Sequence, residues 1–270
     1  GGCEFMKVGF IGCGNMARAI IKGMVVSNAV EAGNIFIYDL DNDKILECSR
    51  EFSAIPVSNI EELIDSSDTL VIAVKPAGIA PLLNKIRDKL MVNNPLIISI
   101  AAGKTLEFIE SNLPYKPLLV RVMPNINAKV GESMSAYCDN GNISAQQESD
   151  VVTIFSSVGK LIKLEESHFP VFGVIAGSAP AFACMFMDSL ARAAVKNGMS
   201  KVKALDIVTQ TVLGSAKLIM EGDEHPWSII DSVCSPGGTT IEGITSLQAD
   251  GFESAVERAV CSAVEKDKRI

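Results

Sequence analysis

Short runs of consecutive apolar residues recur through the first half of the chain, with helically spaced stretches between them. The runs at 7–11, 34–40 ("NIFIYDL"), 69–76 ("TLVIAVKP"), 95–103 ("PLIISIAAG") and 118–125 ("LLVRVMPN") predict strands, and "ESMSAYC" at 132–138 predicts one more. Helical patterns occupy 60–66 and 79–90 among others. Strands that are nearly continuous in apolar residues and alternate with helices predict a parallel sheet covered on both faces, an α/β architecture. Ligands of such sheets bind beyond the carboxyl ends of the strands, where Lys75-Pro76, Ala101-Ala102-Gly103 and Met123-Pro124-Asn125 all fall.

From about residue 167 the rhythm changes to helix after helix. Ser178 and Pro180 predict the start of a long helix and Gly198 its stop; "KVKALDIVTQTVLGSAKLIMEG" predicts a second, and His225-Pro226 opens a short third. "TTIEGITSLQ" and "FESAVERAVCSAVEKDK" complete an all-α set. These helices carry apolar residues on more than one face, more than about 100 residues can bury alone, so a partner subunit is expected. The expected domains are 6–166 with the sheet and 167–270 with the helices. Residues 1–5 read as an added leader outside the fold.

The uncharged run 169–187 is nominally long enough to span a bilayer. Pro170, Gly173, Gly177, Ser178 and Pro180 interrupt it, so the expectation is a buried helix with a capped start and no membrane. At 48% hydrophobic and 21% charged, the composition is that of a soluble two-domain chain. A net charge of −8 without any massed Lys or Arg excludes a nucleic-acid partner. The seven cysteines are scattered and form no C-x-x-C pair, which indicates neither a disulfide framework nor a zinc site and points to a reducing, cytoplasmic compartment.

Two stretches carry chemistry. In "MKVGFIGCGNMARAIIKGM" a strand runs into Gly12-Cys13-Gly14-Asn15-Met16-Ala17 and then into an amphipathic helix, a dinucleotide fingerprint in its expected context. Gly12 permits the tight turn, Gly14 lets the backbone approach a pyrophosphate, and Ala17 allows close packing of helix on strand. Asp39 ends the second strand where such a fold keeps the acid that bonds an adenosine ribose and repels a 2′-phosphate. The other reading of Asp39 and Asp41 is a turn and a helix cap, and Lys44 stands near enough to complicate the choice.

The second stretch is "CSPGGTTIEGITSLQ", 234–248. Two glycines and a proline cost roughly 1 and 3 kcal/mol each inside a helix, so the segment is a break. It reads either as a plain connection with Ser and Thr caps or as a cradle in which the N–H groups at Gly237, Gly238, Thr239 and Thr240, just before or within the first turn of a helix, bind a carboxylate. His168 and His225 read as loop and cap residues, Arg121 as a structural partner inside a strand, and Cys13 and Cys234 as small residues without a redox role. Lys75 reads equally as a cofactor contact or a strand end.

Taken together, "VGFIGCGNMA", "AVKP", "AAG", "MPN", "VGE", "GSAPAF", "GDEHP" and above all "SPGGTTIEG" resemble the pyrroline-5-carboxylate reductase family, in order from Met6 almost to the last residue. The resemblance implies an N-terminal Rossmann dinucleotide-binding domain and an all-α domain that dimerises by interleaving. It also implies an active site built between them near a partner's helices, with larger rings of dimers in some members. It implies hydride transfer from NADH or NADPH to the imine carbon of 1-pyrroline-5-carboxylate, giving L-proline without a metal. By motif it assigns cofactor contacts to Gly12, Gly14, Asn15, Met16, Asp39, Asn59, Ala73, Lys75, Pro76, Ala101, Ala102 and Gly103. Substrate contacts go to Ser235, Gly238, Thr239 and Thr240, with the Thr240 hydroxyl at the ring nitrogen as the catalytic group. The chain departs from the family at Ala179 and Phe182, where glycine and tyrosine are usual. Asp39 stands where many members have small or basic residues, and favours NADH.

Overall fold

The structure is a computed structural model that describes residues 6–269, so the expectation for residues 1–5 lies outside the described residues. Eight strands form one sheet: β1 (Val8–Ile11), β2 (Ile35–Tyr38), β3 (Ile55–Pro56), β4 (Thr69–Ile72), β5 (Leu96–Ser99), β6 (Leu118–Met123), β7 (Ser133–Asp139) and β8 (Gly159–Lys163). Their order is β3-β2-β1-β4-β5-β6-β7-β8, so the chain reverses its direction of sheet-building between β1 and β4. Strands β1 to β6 are mutually parallel.

Alternation within the strands explains the two covered faces. Val8, Phe10, Val71, Leu96, Ile98, Val120 and Val122 enter one core, with Ile20, Ile21 and Met24 of the helix Asn15–Val26 and Ile154 and Phe155 of the helix Ala145–Ser156. Ile11, Leu70, Ile72, Ile97 and Leu119 enter the other, with Leu63 and Ile64 and the stripe Ile79, Leu83, Ile86 and Leu90 of the helix Ile79–Asn93. Successive side chains of a strand point to opposite faces, so a strand buried on both sides must be apolar throughout.

The end of the sheet differs from the parallel expectation. β7 is antiparallel to β6, because the link between them is a single 3-10 segment, Ile126–Val130, closed by Gly131 at φ +77°; a parallel return needs a crossover of a dozen or more residues. β8, whose pattern "GKLIK" is mostly exposed, then pairs parallel to β7 after the helix Ala145–Ser156.

The first compact unit ends at Gly177, since Phe169, Val174 and Ala176 are still buried with it, and the second covers Ser178–Arg269. The second unit consists of the helices Ala179–Lys196, Lys201–Glu221, Pro226–Val233, Thr239–Ala249 and Phe252–Asp267. Among its described residues only Ala191 and Ala204 are buried, while Phe182, Met185, Phe186, Leu190, Leu213 and Trp227 are exposed. Such a unit has no core of its own. The helical stretch 166–196 is also long and apolar enough by length and composition to cross a membrane.

Candidate functional site

The glycine turn after β1 is shaped by its neighbours. Gly12 has φ +106° and donates its N–H to the Tyr38 carbonyl at 2.8 Å; a Cβ there would sit 2.8 Å from the Ala73 carbonyl oxygen. Both the dihedral and the closeness of β4 therefore demand glycine. Gly14 is different: its backbone is ordinary (φ −73°) and a Cβ would meet nothing within 4 Å. No contact among the described residues calls for glycine at 14, so the open space over its backbone is the feature that fits a pyrophosphate. Gly14 is the N-cap of the helix Asn15–Val26 without a side-chain cap bond, and no acid occupies the first turn. The leading N–H groups of that helix are left for an anion, favoured further by the helix dipole.

Asp39, at the end of β2, joins this turn. Its Oδ2 accepts from the Cys13 N–H at 2.7 Å and its Oδ1 from the Asp41 N–H at 2.9 Å. Asp41 in turn caps the helix Asn42–Phe52 by accepting from the Asp43 N–H, so the turn-and-cap reading applies to Asp41. The Cys13 thiol is pushed well up from its ordinary range, first by its hydrogen bond to Cys48 and then by burial; Cys48 is drawn down by the same bond. Cys13 therefore offers no thiolate at neutral pH.

A cleft of about 570 Å³ opens beside the turn, lined by Gly12, Gly14, Asp39, Ala73 and Lys75 of the residues expected from sequence. Ile11, Tyr38, Leu40, Lys44, Ile60, Gly78, Pro81, Leu82 and Lys85 complete it. Leu40 lines the cleft while 89% exposed, so it presents apolar surface at the mouth. The cations Lys44, Lys75 and Lys85 face the one acid Asp39 here, and Lys44 lies 3.4 Å from Asp41. Leu82 and Lys85 were missed from sequence. The available signal was their position beside, rather than on, the buried stripe Ile79, Leu83, Ile86 and Leu90.

The remaining expected residues fall around this edge. Asn15 and Met16 form the first turn of the helix, and Pro76 begins the short 3-10 turn Pro76–Gly78 that leads into the helix Ile79–Asn93. Asn59 does not line the cleft; it is the N-cap of the helix Ile60–Asp65, its Oδ1 accepting from the Glu62 N–H at 2.8 Å. Ala101, Ala102 and Gly103 follow β5, which lies between β4 and β6, so the ends of these three parallel strands share one edge of the sheet. Arg121 is 5% exposed and engaged: its Nη1 donates to Glu166 Oε1 at 2.8 Å, and its guanidinium lies 4.5 Å from the Phe169 ring centre.

In the second unit, Ser235-Pro236-Gly237-Gly238 make a tight turn in which the Gly238 N–H donates to the Ser235 carbonyl at 3.0 Å and Gly237 takes φ +66°. Gly238 has an ordinary φ of −82° and is the N-cap of the helix Thr239–Ala249 without a side-chain cap bond. A Cβ at 238 would stand 2.3 Å from Ser235 Oγ, so a side chain there has to displace that hydroxyl. The N–H groups of Thr239 and Thr240 open this helix without intrahelical partners, and both side chains and Ser235 are exposed. His225 caps the preceding helix by accepting from the Trp227 N–H at 3.2 Å.

Residues 166–270 match the family model described as pyrroline-5-carboxylate reductase dimerisation, and residues 7–103 match that described as NADP oxidoreductase, coenzyme F420-dependent. The chain is 37% identical to the pyrroline-5-carboxylate reductase of Escherichia coli (strain K12) over 98% of both chains. Its structure is similar to that of a pyrroline-5-carboxylate reductase from Coxiella burnetii, with a TM-score of 0.93, 28% identity and 98% of both chains covered. It is also similar to the Plasmodium falciparum pyrroline carboxylate reductase solved with NADP bound, with a TM-score of 0.87, 33% identity and 99% of both chains covered.

Proposed function

The chain belongs to the pyrroline-5-carboxylate reductase family, and we infer from that membership that it reduces 1-pyrroline-5-carboxylate to L-proline with NAD(P)H. The observation that carries this reading is the end-to-end match of both units to relatives of that one activity. The test is substrate-dependent oxidation of NADH and NADPH by the purified protein. Tight cofactor binding with no oxidation of either in the presence of the imine would remove the assignment.

The bound nicotinamide supplies the hydride. The chain's part is to hold, orient and exclude water. In our reading the Gly12–Gly14 turn and the helix behind it take the pyrophosphate, Asp39 and Leu40 take the adenosine end, and Lys75-Pro76 and Ala101-Ala102-Gly103 border the rest. Asn59 acts indirectly, by capping the helix whose first residue, Ile60, lines the cleft.

The substrate carboxylate is assigned to the N–H groups of Thr239 and Thr240, supported by the uncapped start of that helix; the Gly238 N–H is taken by the Ser235 carbonyl and shapes the turn. Ser235 shapes this turn by packing its hydroxyl against Gly238. The Thr240 hydroxyl is the group we assign to the ring nitrogen, donating to a neutral imine or accepting from the protonated one. Hydride adds far more readily to the iminium, so a hydrogen bond that strengthens as the nitrogen changes charge acts on the barrier itself. Thr240 requires no shifted pKa for this role.

NADH is proposed to serve at least as well as NADPH, because the Asp39 carboxylate is fixed at the ribose end by two hydrogen bonds and cannot swing away without breaking them. The opposing feature is Lys44, beside the same cleft. The helical unit is proposed to form a homodimer, supported by its lack of a core, and the exposed apolar positions of the stretch 166–196 are assigned to that interface rather than to a membrane. Rings of such dimers, a cytoplasmic setting and the absence of a nucleic-acid partner belong to the same reading.

A further inference from the structure

The carboxyl end of β6 is fastened to the segment Gly173–Ser178 at two points. The Met123 sulfur lies 3.3 Å from where a Cβ on Gly173 would stand, so the thioether rests against bare backbone. Farther on, Asn125 Nδ2 donates to the Ala176 carbonyl at 2.9 Å. Asn125 is buried and held on every side: its Oδ1 accepts from the Asn127 N–H at 3.2 Å, and its carbonyl accepts from the Ala128 N–H at 3.1 Å. Its own N–H donates to Ser133 Oγ at 3.2 Å, and that hydroxyl is 3.0 Å from Ser135 Oγ.

The Ala176 carbonyl takes a side-chain donor at a position where an α-helical backbone donor does not exist. In an α-helix it would accept from the N–H of residue 180, and residue 180 is proline, which has none. Over Gly173–Ser178 the backbone is a π-helix, a turn with one residue more than an α-turn, and π turns inside helices are frequent at functional sites. The proline removes the α partner and the asparagine supplies a replacement from across the fold. A return to α geometry would turn the residues that follow by about 100° and shift them by about 1.5 Å.

We infer that Asn125 is a positioning residue for hydride transfer: through the Ala176 carbonyl it holds the π turn against the end of β6, fixing one wall of the crevice. The inference rests on the reductase reading above. A dinucleotide lies across the point where strand order reverses, and with the adenosine end at Asp39 beyond β2, its reactive end extends over β4, β5 and β6. Asn125 stands at that end and touches no reacting atom in this assignment.

The test compares Asn125→Ala, Pro180→Ala and the double variant by kcat, KM for the imino acid, cofactor Kd and Tm. Asn125→Ala is expected to lose about tenfold or more in kcat and about 3–8 °C in Tm, with KM and Kd within about threefold of the parent. Pro180→Ala in that background returns an N–H to the Ala176 carbonyl. Tm is then expected to recover while kcat stays low, because the carbonyl is satisfied in the wrong helical phase. Pro180→Ala alone should keep Tm and lower kcat, which serves if Asn125→Ala does not fold. Parent-like kcat in either single variant, or recovery of both kcat and Tm in the double variant, would overturn the inference and leave Asn125 a purely structural residue. A parent protein inactive with the imine would overturn the reductase reading itself, and that result appears before any substitution is made.

Discussion

Asp39 Oδ2 accepts the Cys13 N–H at 2.7 Å, so the acid at the end of the second strand is bonded to the middle of the glycine turn. The residue that meets the ribose in our reading also holds the loop that meets the pyrophosphate. Asp39→Ser is therefore expected to do two things. It shifts the ratio of kcat/KM for NADPH over NADH upwards by about tenfold or more, the effect of about 1.4 kcal/mol. It also weakens both cofactors, because the Cys13 N–H loses its acceptor. Steady-state kinetics with each cofactor decide this; a parent that prefers NADPH and a variant that leaves the ratio unchanged would show that the carboxylate does not face the ribose.

Gly12 and Gly14 separate fold from ligand. Gly12→Ala places a Cβ 2.8 Å from the Ala73 carbonyl at φ +106°, so thermal stability should fall by several degrees. Gly14→Ala meets nothing among the described residues and should leave Tm unchanged while weakening dinucleotide binding about tenfold or more. Calorimetric Tm and fluorescence titration with NADH measure the two effects independently. Unchanged NADH affinity in the folded Gly14→Ala protein would place the pyrophosphate elsewhere.

Thr240→Val removes one hydroxyl at nearly constant shape. It should lower kcat/KM by roughly ten- to a few hundredfold, about 1.4–3 kcal/mol for one hydrogen bond to a group that gains or loses charge, with cofactor Kd unaffected. Gly238→Ala should act mainly on KM for the imino acid, since the Cβ displaces the Ser235 hydroxyl rather than straining the backbone. If both variants keep parent kinetics, the 235–240 turn is only a connection between helices.

Lys163 links Asp139 Oδ2 at 2.9 Å and Glu148 Oε1 at 2.7 Å. Burial of Asp139 opposes ionisation, but its bonds from Lys163 and the Gly141 N–H outweigh it; Glu148 is held low first by Lys163 and then by Tyr137. Both folded-state values lie below the ordinary carboxylate range. Their stabilisation is therefore complete above that range, about pH 4, and is lost as pH falls through the depressed values. Lys163→Met should be less stable than the parent at pH 7, with the difference shrinking between about pH 4 and pH 2. A pH-independent gap in Tm would show that the loss is one of packing.

The second unit exposes Phe182, Met185, Phe186 and Leu190 along one long helix and buries only two alanines among its described residues. A homodimer that persists at micromolar concentration is expected in sedimentation velocity, and Phe186→Asp should weaken it by burying a charge against apolar surface. A stable, active monomer would contradict the arrangement.

The sequence by itself determined what short-range physics controls. Strand, glycine turn and helix follow from "VGFIGCGNMA" because Gly12 and Ala17 are required by contacts one element away. The start and stop of the long helix Ala179–Lys196 follow from Ser178, Pro180 and Gly198, which act within a single turn, although the compact unit begins at Ser178 rather than at residue 167. The break at Ser235-Pro236-Gly237-Gly238 was legible for the same reason, since a positive φ at Gly237 is a local demand. Only the tertiary structure decided the antiparallel return of β7 and the added β8, because pairing depends on which segments become neighbours and on the length of the link between them. It also decided that Leu82 and Lys85 face the cleft and that Asp39 bonds the glycine turn. And it alone brought Asn125 to the Ala176 carbonyl, which Pro180 leaves without an α-helical donor: the missing α donor is written in the sequence at residue 180, but the asparagine comes from a strand end about 50 residues earlier, and nothing local to either residue specifies that they meet.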